Sequence, residues 1–302
     1  MTVKASRYVA YMQLMRPANI VTAIADVLAG YAIGKAFSFG LTNELLNIQL
    51  LFWLGLSTIG LYGGGVVFND VFDAETDKIE RPERPIPSGK SSIQGAVILG
   101  TLLFIIGVTA AYMVSVTSFS IAIIIMFLAL LYDKFFKHYA LLGPINMGLC
   151  RGLNLLLGMS VISNSLSERW FIALIPIVYI SAITMVSQGE VHGRNPVALK
   201  RGGILYLLVI IGIMLLGVLT GFNLLPTLPF LMLFFLLIFP PLLTAIKQNQ
   251  PENIRNVVKA GIMSLIVMNA SIAAGFEGWA YGLIILGLLP LSVFIARQFE
   301  VT

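Results

Sequence analysis

Apolar runs of about 20 residues recur along the whole chain, separated by short polar segments. A helix rises about 1.5 Å per residue, so runs of that length match the roughly 30 Å hydrocarbon layer of a bilayer. The pattern predicts ten helices, over 17–35, 50–73, 92–114, 117–133, 142–163, 168–188, 202–221, 225–246, 254–274 and 278–297. The fold class that follows is all-α: a polytopic membrane bundle of nine to ten helices with no sizeable soluble domain. The first run begins only after Arg16 and Pro17, and it reads as a retained helix rather than a cleavable signal.

Charge placement supports this map and orients it. Of the 302 residues, 58% are hydrophobic and 11% charged, whereas a soluble domain carries about 25% charged residues. All but three of the 19 lysines and arginines fall on one side when the N-terminus is placed inside. The exceptions are Lys35 and Arg169, outside, and Arg151, within a helix. That asymmetry predicts a multi-pass membrane protein with both termini and the active-site loops cytoplasmic. It also accounts for the net charge of +5 without a nucleic-acid partner. The single cysteine, Cys150, rules out an intramolecular disulfide and reads as a packing residue.

The inner loops after the second and sixth helices carry most of the ionisable chemistry. The first begins NDVFDAETDKIERPERPIPSG at Asn69. Asp70, Asp73 and Asp77 stand at i, i+3 and i+7, so a helix places them on one face with Asn69 alongside. Carboxylates packed so closely repel one another and call for a cation. Arg81 and Arg84, each followed by proline, come next. Hard oxygen ligands beside guanidinium groups suit a diphosphate bound through Mg²⁺. A solvated acidic helix end is the plainer alternative. Gly63, Gly64 and Gly65 precede the array, where they permit either close helix packing or a bend.

The order Asn-Asp-x-x-Asp-x-x-x-Asp, then Arg-Pro-x-Arg-Pro and Gly89, resembles the first aspartate-rich motif of the UbiA superfamily of intramembrane prenyltransferases. The resemblance covers most of the chain. Arg16-Pro17-x-Asn19 is similar to the family's N-terminal signature, and Tyr132 with Lys137 to its tyrosine-and-lysine element. Gly143, Asn146 and the stretch 151–154 resemble its fifth helix. The resemblance implies a single domain over residues 1–302, with helices around a central cavity. It also implies Mg²⁺-dependent transfer of a prenyl group from an isoprenyl diphosphate to an aromatic or other lipophilic acceptor. On that basis Asn69, Asp73 and Asp77 bind metal, and Asp70 is a ligand or supports one. Arg81, Arg84, Lys137 and Lys134 hold diphosphate oxygens, and Arg16 and Asn19 join the substrate site. Tyr132 orients substrate or faces the developing cation, or is an interfacial tyrosine.

The second motif departs from the family pattern. After the sixth helix the family usually carries a second acidic array, whereas this chain reads Ser187-Gln188-Gly189-Glu190-Val191-His192-Gly193-Arg194. Only Glu190 keeps a carboxylate. Serine is a poor metal ligand beside a carboxylate, and arginine repels the ion. Glu190 and Arg194 are therefore substrate-binding candidates, with Arg194 pairing directly to phosphate where a second metal would sit. This change resembles the UbiA-like branch called EboC, which implies a bacterial inner membrane as the protein's place. It leaves an alternative open: a protein that binds or helps export a small metabolite without catalysis. Asp26 and Arg151 lie deep in apolar segments, where an unpaired charge is expensive. They either pair with each other or line the cavity for an acceptor. Phe68 and Phe72 read as packing residues or as flanks for the first isoprene unit.

Overall fold

A computed structural model describes residues 2–36, 44–187 and 196–299. The chain runs through α1 (Thr2–Met15), α2 (Pro17–Lys35), α3 (Glu44–Phe72), α4 (Ala74–Glu80), α5 (Ile93–Tyr112), α6 (Val116–Lys134) and α7 (Leu142–Met159). It continues with α8 (Ser163–Arg169), α9 (Leu174–Ser187), α10 (Pro196–Leu219), α11 (Leu224–Lys247), α12 (Pro251–Glu277), α13 (Trp279–Leu286) and α14 (Leu288–Phe299). Short 3₁₀ segments, Phe136–His138 and Trp170–Ala173, precede α7 and α9. There is no strand among the described residues. Several starts are capped: Ser92, Ser115 and Asn223 accept from the backbone N–H of Gly95, Ser118 and Leu225. Such caps satisfy donors that a helix start leaves free.

Nine stretches among the described residues are long and apolar enough to span a membrane. The chain is thus an integral, multi-pass membrane protein. Helix α7 forms as expected but falls outside that set, because Asn146, Arg151 and Asn154 lower its hydropathy and are buried inside the bundle. The predicted last helix is broken in two at Gly287, and the stretch before α9 is taken up by α8 and a 3₁₀ turn. Helices α1 and α4 were not marked by an apolar run, since both are short and mixed in polarity.

Burial separates centre from periphery. The span Tyr8–Lys35 and α12 are each 78% buried over their most apolar window, whereas the span Trp279–Phe299 is only 17% buried. Within that centre, α2 packs on α7 through small residues. A Cβ on Gly30 would lie 2.0 Å from the Leu155 carbonyl oxygen, and one on Gly158 would lie 2.2 Å from that of Val27. No larger residue fits at this crossing, and the close approach sets Asp26 on α2 against Arg151 and Asn154 on α7. Helices α3 and α5 meet in the same way at Gly60 and Gly107, where an added Cβ on Gly60 would be 2.4 Å from the Leu103 oxygen. Phe104 lies flat against Gly64, so close packing is the role this structure gives the middle of the glycine triplet.

Candidate active site

Three helices line a cavity of about 180 Å³ with residues spaced at helical repeats. Helix α3 contributes Tyr62, Val66 and Asn69; α6 contributes Ile125, Ala129, Tyr132 and Asp133; α7 contributes Met147, Cys150, Arg151 and Asn154. Steps of three and four along each helix keep these side chains on one face. Arg16 reaches the same wall from the junction of α1 and α2.

The acidic array stands at the rim. Helix α3 ends at Phe72, and Asp73 lies between it and α4. Backbone bonds from Asp73 N–H to Asn69 and from Asp77 N–H to Asp73 carry the helical register across that junction. The spacing inferred from sequence therefore holds despite the break. Each aspartate is met by a cation. Arg16 Nη2 donates to Asp70 Oδ1 at 2.7 Å. Arg84 Nη1 donates to Asp77 Oδ2 at 2.6 Å and to Asp70 Oδ1 at 3.3 Å. Lys137, in the 3₁₀ segment after α6, donates to Asp73. Asp70 and Asp77 are both 5% exposed. Burial pushes the Asp77 carboxyl above the usual aspartate range, with Arg84 opposing and Asp73 and Asp70 adding to the shift.

Arg16 makes its contact from an unusual backbone. Its φ of 49° and ψ of 63° are left-handed, and it is the one non-glycine residue with positive φ among the described residues. That conformation costs on the order of 1–2 kcal/mol for a residue with a Cβ. It turns the chain sharply before Pro17 and brings the guanidinium back over α3.

The remaining candidates are placed as follows. Tyr132 lines the cavity. Arg81 caps the end of α4, half-buried and without an ion pair among the described residues. Asn19 sits in the first turn of α2, half-buried and off the cavity wall. Lys134 is exposed and lies over the Phe135 ring, 5.2 Å from its centroid, away from the array. Phe68 stacks on Phe104 with centroids 5.5 Å apart, while Phe72 is exposed. Glu190 and Arg194 lie outside the described residues, as does His192. Ser187 ends α9 and donates to the Thr184 carbonyl at 2.9 Å.

The floor of the cavity is a buried polar network. Arg151 Nε lies 2.7 Å from Asp26 Oδ2. Asn269 Nδ2 donates to Asp26 Oδ1 at 2.7 Å, and Asn154 Nδ2 donates to the Ala23 carbonyl at 2.8 Å. Asp26 and Arg151 thus pair with each other, while Arg151 also lines the cavity. Sequence reasoning missed two members of the site. Asn269 was one amide in a long apolar helix. Asp133 adjoins Tyr132 in the last turn of α6, where a carboxylate reads as ordinary interfacial polarity.

A Mg²⁺ ion on diphosphate needs only one or two protein carboxylates, the other ligands being phosphate and water. Among the described residues no three His, Cys, Asp or Glu side chains are gathered into a cage. The Asp73 and Asp77 carboxylates, with the Asn69 amide oxygen left free while its Nδ2 donates to Asp133, fit that minimal requirement.

The model of the UbiA prenyltransferase family matches residues 27–260. A match over that share of the chain shows that it belongs to this family. Among its relatives is a digeranylgeranylglyceryl phosphate synthase of Saccharolobus solfataricus, 30% identical over 59% of this chain and 60% of that one. Another, from Sulfolobus acidocaldarius, is 30% identical over 64% of this chain and 70% of that one. The first of these matches spans less than two thirds of the relative's length. A UbiA homolog from Aeropyrum pernix K1 has a TM-score of 0.69 at 14% identity, covering 84% of this chain and 96% of that one. A UbiA homolog from Archaeoglobus fulgidus bound to GPP and Mg²⁺ has a TM-score of 0.64 at 15% identity, covering 92% and 99%. These structures share the fold.

Proposed function

We propose that this protein is a Mg²⁺-dependent prenyltransferase acting inside the membrane. It transfers the prenyl group of an isoprenyl diphosphate to an aromatic or other lipophilic acceptor. The observation that carries the reading is the rim of the cavity, where Asp70, Asp73 and Asp77 alternate with Arg16, Arg84 and Lys137. The synthases among the relatives and the neighbour holding GPP and Mg²⁺ support it. Asn69, Asp73 and Asp77 would hold the metal, with Asp70 supporting Arg16 and Arg84. When bound, the metal supplies Lewis-acid stabilisation of the departing diphosphate.

The chain's own cations do the rest of the binding. Arg84, Lys137 and Arg81 donate to diphosphate oxygens, exchanging a carboxylate partner for a phosphate one where they have one. Arg16 and Asn19 close the same end of the cavity. Glu190 and Arg194 add to the site from the other inner loop, Arg194 by direct phosphate pairing. Tyr132 offers its ring to the allylic carbon as positive charge develops there. Apolar walls from α3, α6 and α7 keep water from that carbon. The rim faces the cytoplasm, a reading the lysine and arginine asymmetry supports; the membrane is a bacterial inner membrane, and residues 1–302 act as one domain.

The test is diphosphate release. Purified protein is incubated with labelled geranylgeranyl diphosphate, Mg²⁺ and host lipid extract, beside an Asp73→Ala control. Release that needs both Mg²⁺ and Asp73 is expected. Binding without release, across several prenyl lengths and acceptor mixtures, would replace this reading with that of a carrier.

A further inference from the structure

The cavity below the rim is built in layers. Helices α3 and α6 end at the rim and α7 starts near it, so their turns line up. Asn69 and Tyr132 stand at the top, and Val66 and Ala129 stand one turn lower. Tyr62, Ile125 and Asn154 form the bottom layer. From top to bottom is two helical turns, about 11 Å.

The waist is open and the floor is shut. Gly65 and Ala129 both line the waist, and both are small. A Cβ on Gly65 would already lie 3.3 Å from that of Ala129, so added bulk here would enter the passage. The floor is polar and held from behind. Asn154 Nδ2 donates to the Ala23 carbonyl at 2.8 Å, and its Oδ1 accepts from Thr58 at 2.9 Å. The Tyr62 ring lies 5.7 Å from the Arg151 guanidinium carbon, and Arg151 is held by Asp26 and by the Thr22 carbonyl. Pushing this floor aside would disturb a buried ion pair, which is costly.

The space fits a short chain. An isoprene unit adds four carbon–carbon bonds of about 1.5 Å, or about 5 Å of extended chain, so two units reach from rim to floor. The volume agrees. A cavity of about 150 Å³ takes one benzene ring, and one of about 180 Å³ cannot enclose twenty carbons.

We propose that this cavity is a length gauge for the prenyl donor. It encloses the first two isoprene units, with Ala129 at the passage between them and Tyr62 as the stop. Units beyond the second lie outside it. The proposal rests on the prenyl-transfer reading.

Full-length protein in one detergent, with Mg²⁺, is titrated with the slowly ionising thiodiphosphates of dimethylallyl, geranyl and geranylgeranyl. Each affinity is read as a ratio of variant to unmodified protein, which cancels the partition of ligand into micelles. Ala129→Phe plugs the passage. It should weaken the geranyl and geranylgeranyl ligands at least about tenfold and leave dimethylallyl within about threefold. Tyr62→Ala deepens the floor and should favour geranylgeranyl over geranyl by at least about threefold. Melting curves confirm that each variant is folded, and either variant decides alone if the other is not. In Ala129→Phe, a geranyl loss below about tenfold or a dimethylallyl loss above about threefold overturns the gauge and leaves the donor reading standing. So does a Tyr62→Ala protein whose gain for geranylgeranyl is below about threefold. Unmodified protein that binds none of the three ligands refutes both.

Discussion

Arg16 and Asp70, separated by 54 positions in the chain, are joined at 2.7 Å by a guanidinium held on a left-handed backbone. The strain and the ion pair are two sides of one device, since the turn that costs energy is what delivers the charge. Arg16→Gly relieves about 1–2 kcal/mol of backbone strain and removes the nearer of the two cations on Asp70, leaving Arg84 at 3.3 Å. Melting temperature should change little, while affinity for geranylgeranyl diphosphate with Mg²⁺ falls about tenfold or more. A thermal scan and a binding titration on the same sample separate the two effects. A large drop in stability without a drop in affinity would show that Arg16 serves the fold rather than the substrate.

Arg84 bridges two carboxylates through one nitrogen, at 2.6 Å to Asp77 and 3.3 Å to Asp70. Removing it leaves two buried acids facing each other. Arg84→Ala should lower kcat/KM for diphosphate release by about 10²-fold. A single nitrogen makes both contacts, so Arg84→Lys should stay within about tenfold of the unmodified protein. A lysine variant as poor as the alanine one would mean that the planar fork itself grips the substrate.

Asp77 gives a pH dependence of defined sign. Burial raises its carboxyl above the ordinary range, so the folded chain binds more protons than the unfolded chain between the ordinary and raised values. Without Mg²⁺, stability contributed by this group is present at the acid end and is lost as pH rises through that window, starting near about 3.9. Asp77→Asn should flatten that part of the curve. Mg²⁺ with substrate should stabilise the unmodified protein more at the upper end, where the carboxylate is free to bind. Melting temperatures over about pH 4 to 7, with and without the ligands, test both slopes.

Asp26 and Arg151 should show strong coupling. Breaking a buried pair from one side costs about 3–5 kcal/mol, because the survivor is left charged and alone. Arg151→Met alone and Asp26→Leu alone should each impair folding severely. The double variant should recover a large part of the loss. Expression yield and melting temperature of the four proteins complete the cycle. Additive losses would mean that each residue answers to other partners, such as Asn269 and Thr22, more than to its mate.

The bundle was legible in the sequence because bilayer thickness imposes a length that composition alone reveals. So was the rim: the spacing of Asn69, Asp73 and Asp77 survives the helix junction since backbone hydrogen bonds continue through it. Lys137 was placed with the array, and the structure joins it to Asp73. Lys134 was grouped with it on proximity in sequence, but the three-residue offset turns it out over Phe135. The floor was harder to see. Asp26 and Arg151 were conspicuous as charges in apolar segments, yet their third partner, Asn269, lies 243 positions from Asp26. No local pattern reports such a contact. Asp133 was passed over for its neighbour Tyr132, since an acidic residue at the end of a membrane helix resembles ordinary interfacial polarity.

The network around Asp26 also sets an order of events at the ribosome. Asp26 lies on α2, whereas Arg151 follows Asp26 by 125 positions and Asn269 follows Asp26 by 243. At about 5–20 residues per second, the newborn helix holds its acid for roughly 6–25 s before Arg151 is made, and for roughly 12–50 s before Asn269 is. During that interval the acid must be protonated, kept at the lipid surface, or shielded inside the insertion machinery. The helix that carries Asp26 therefore waits for a partner that is made only in the last third of these 302 residues.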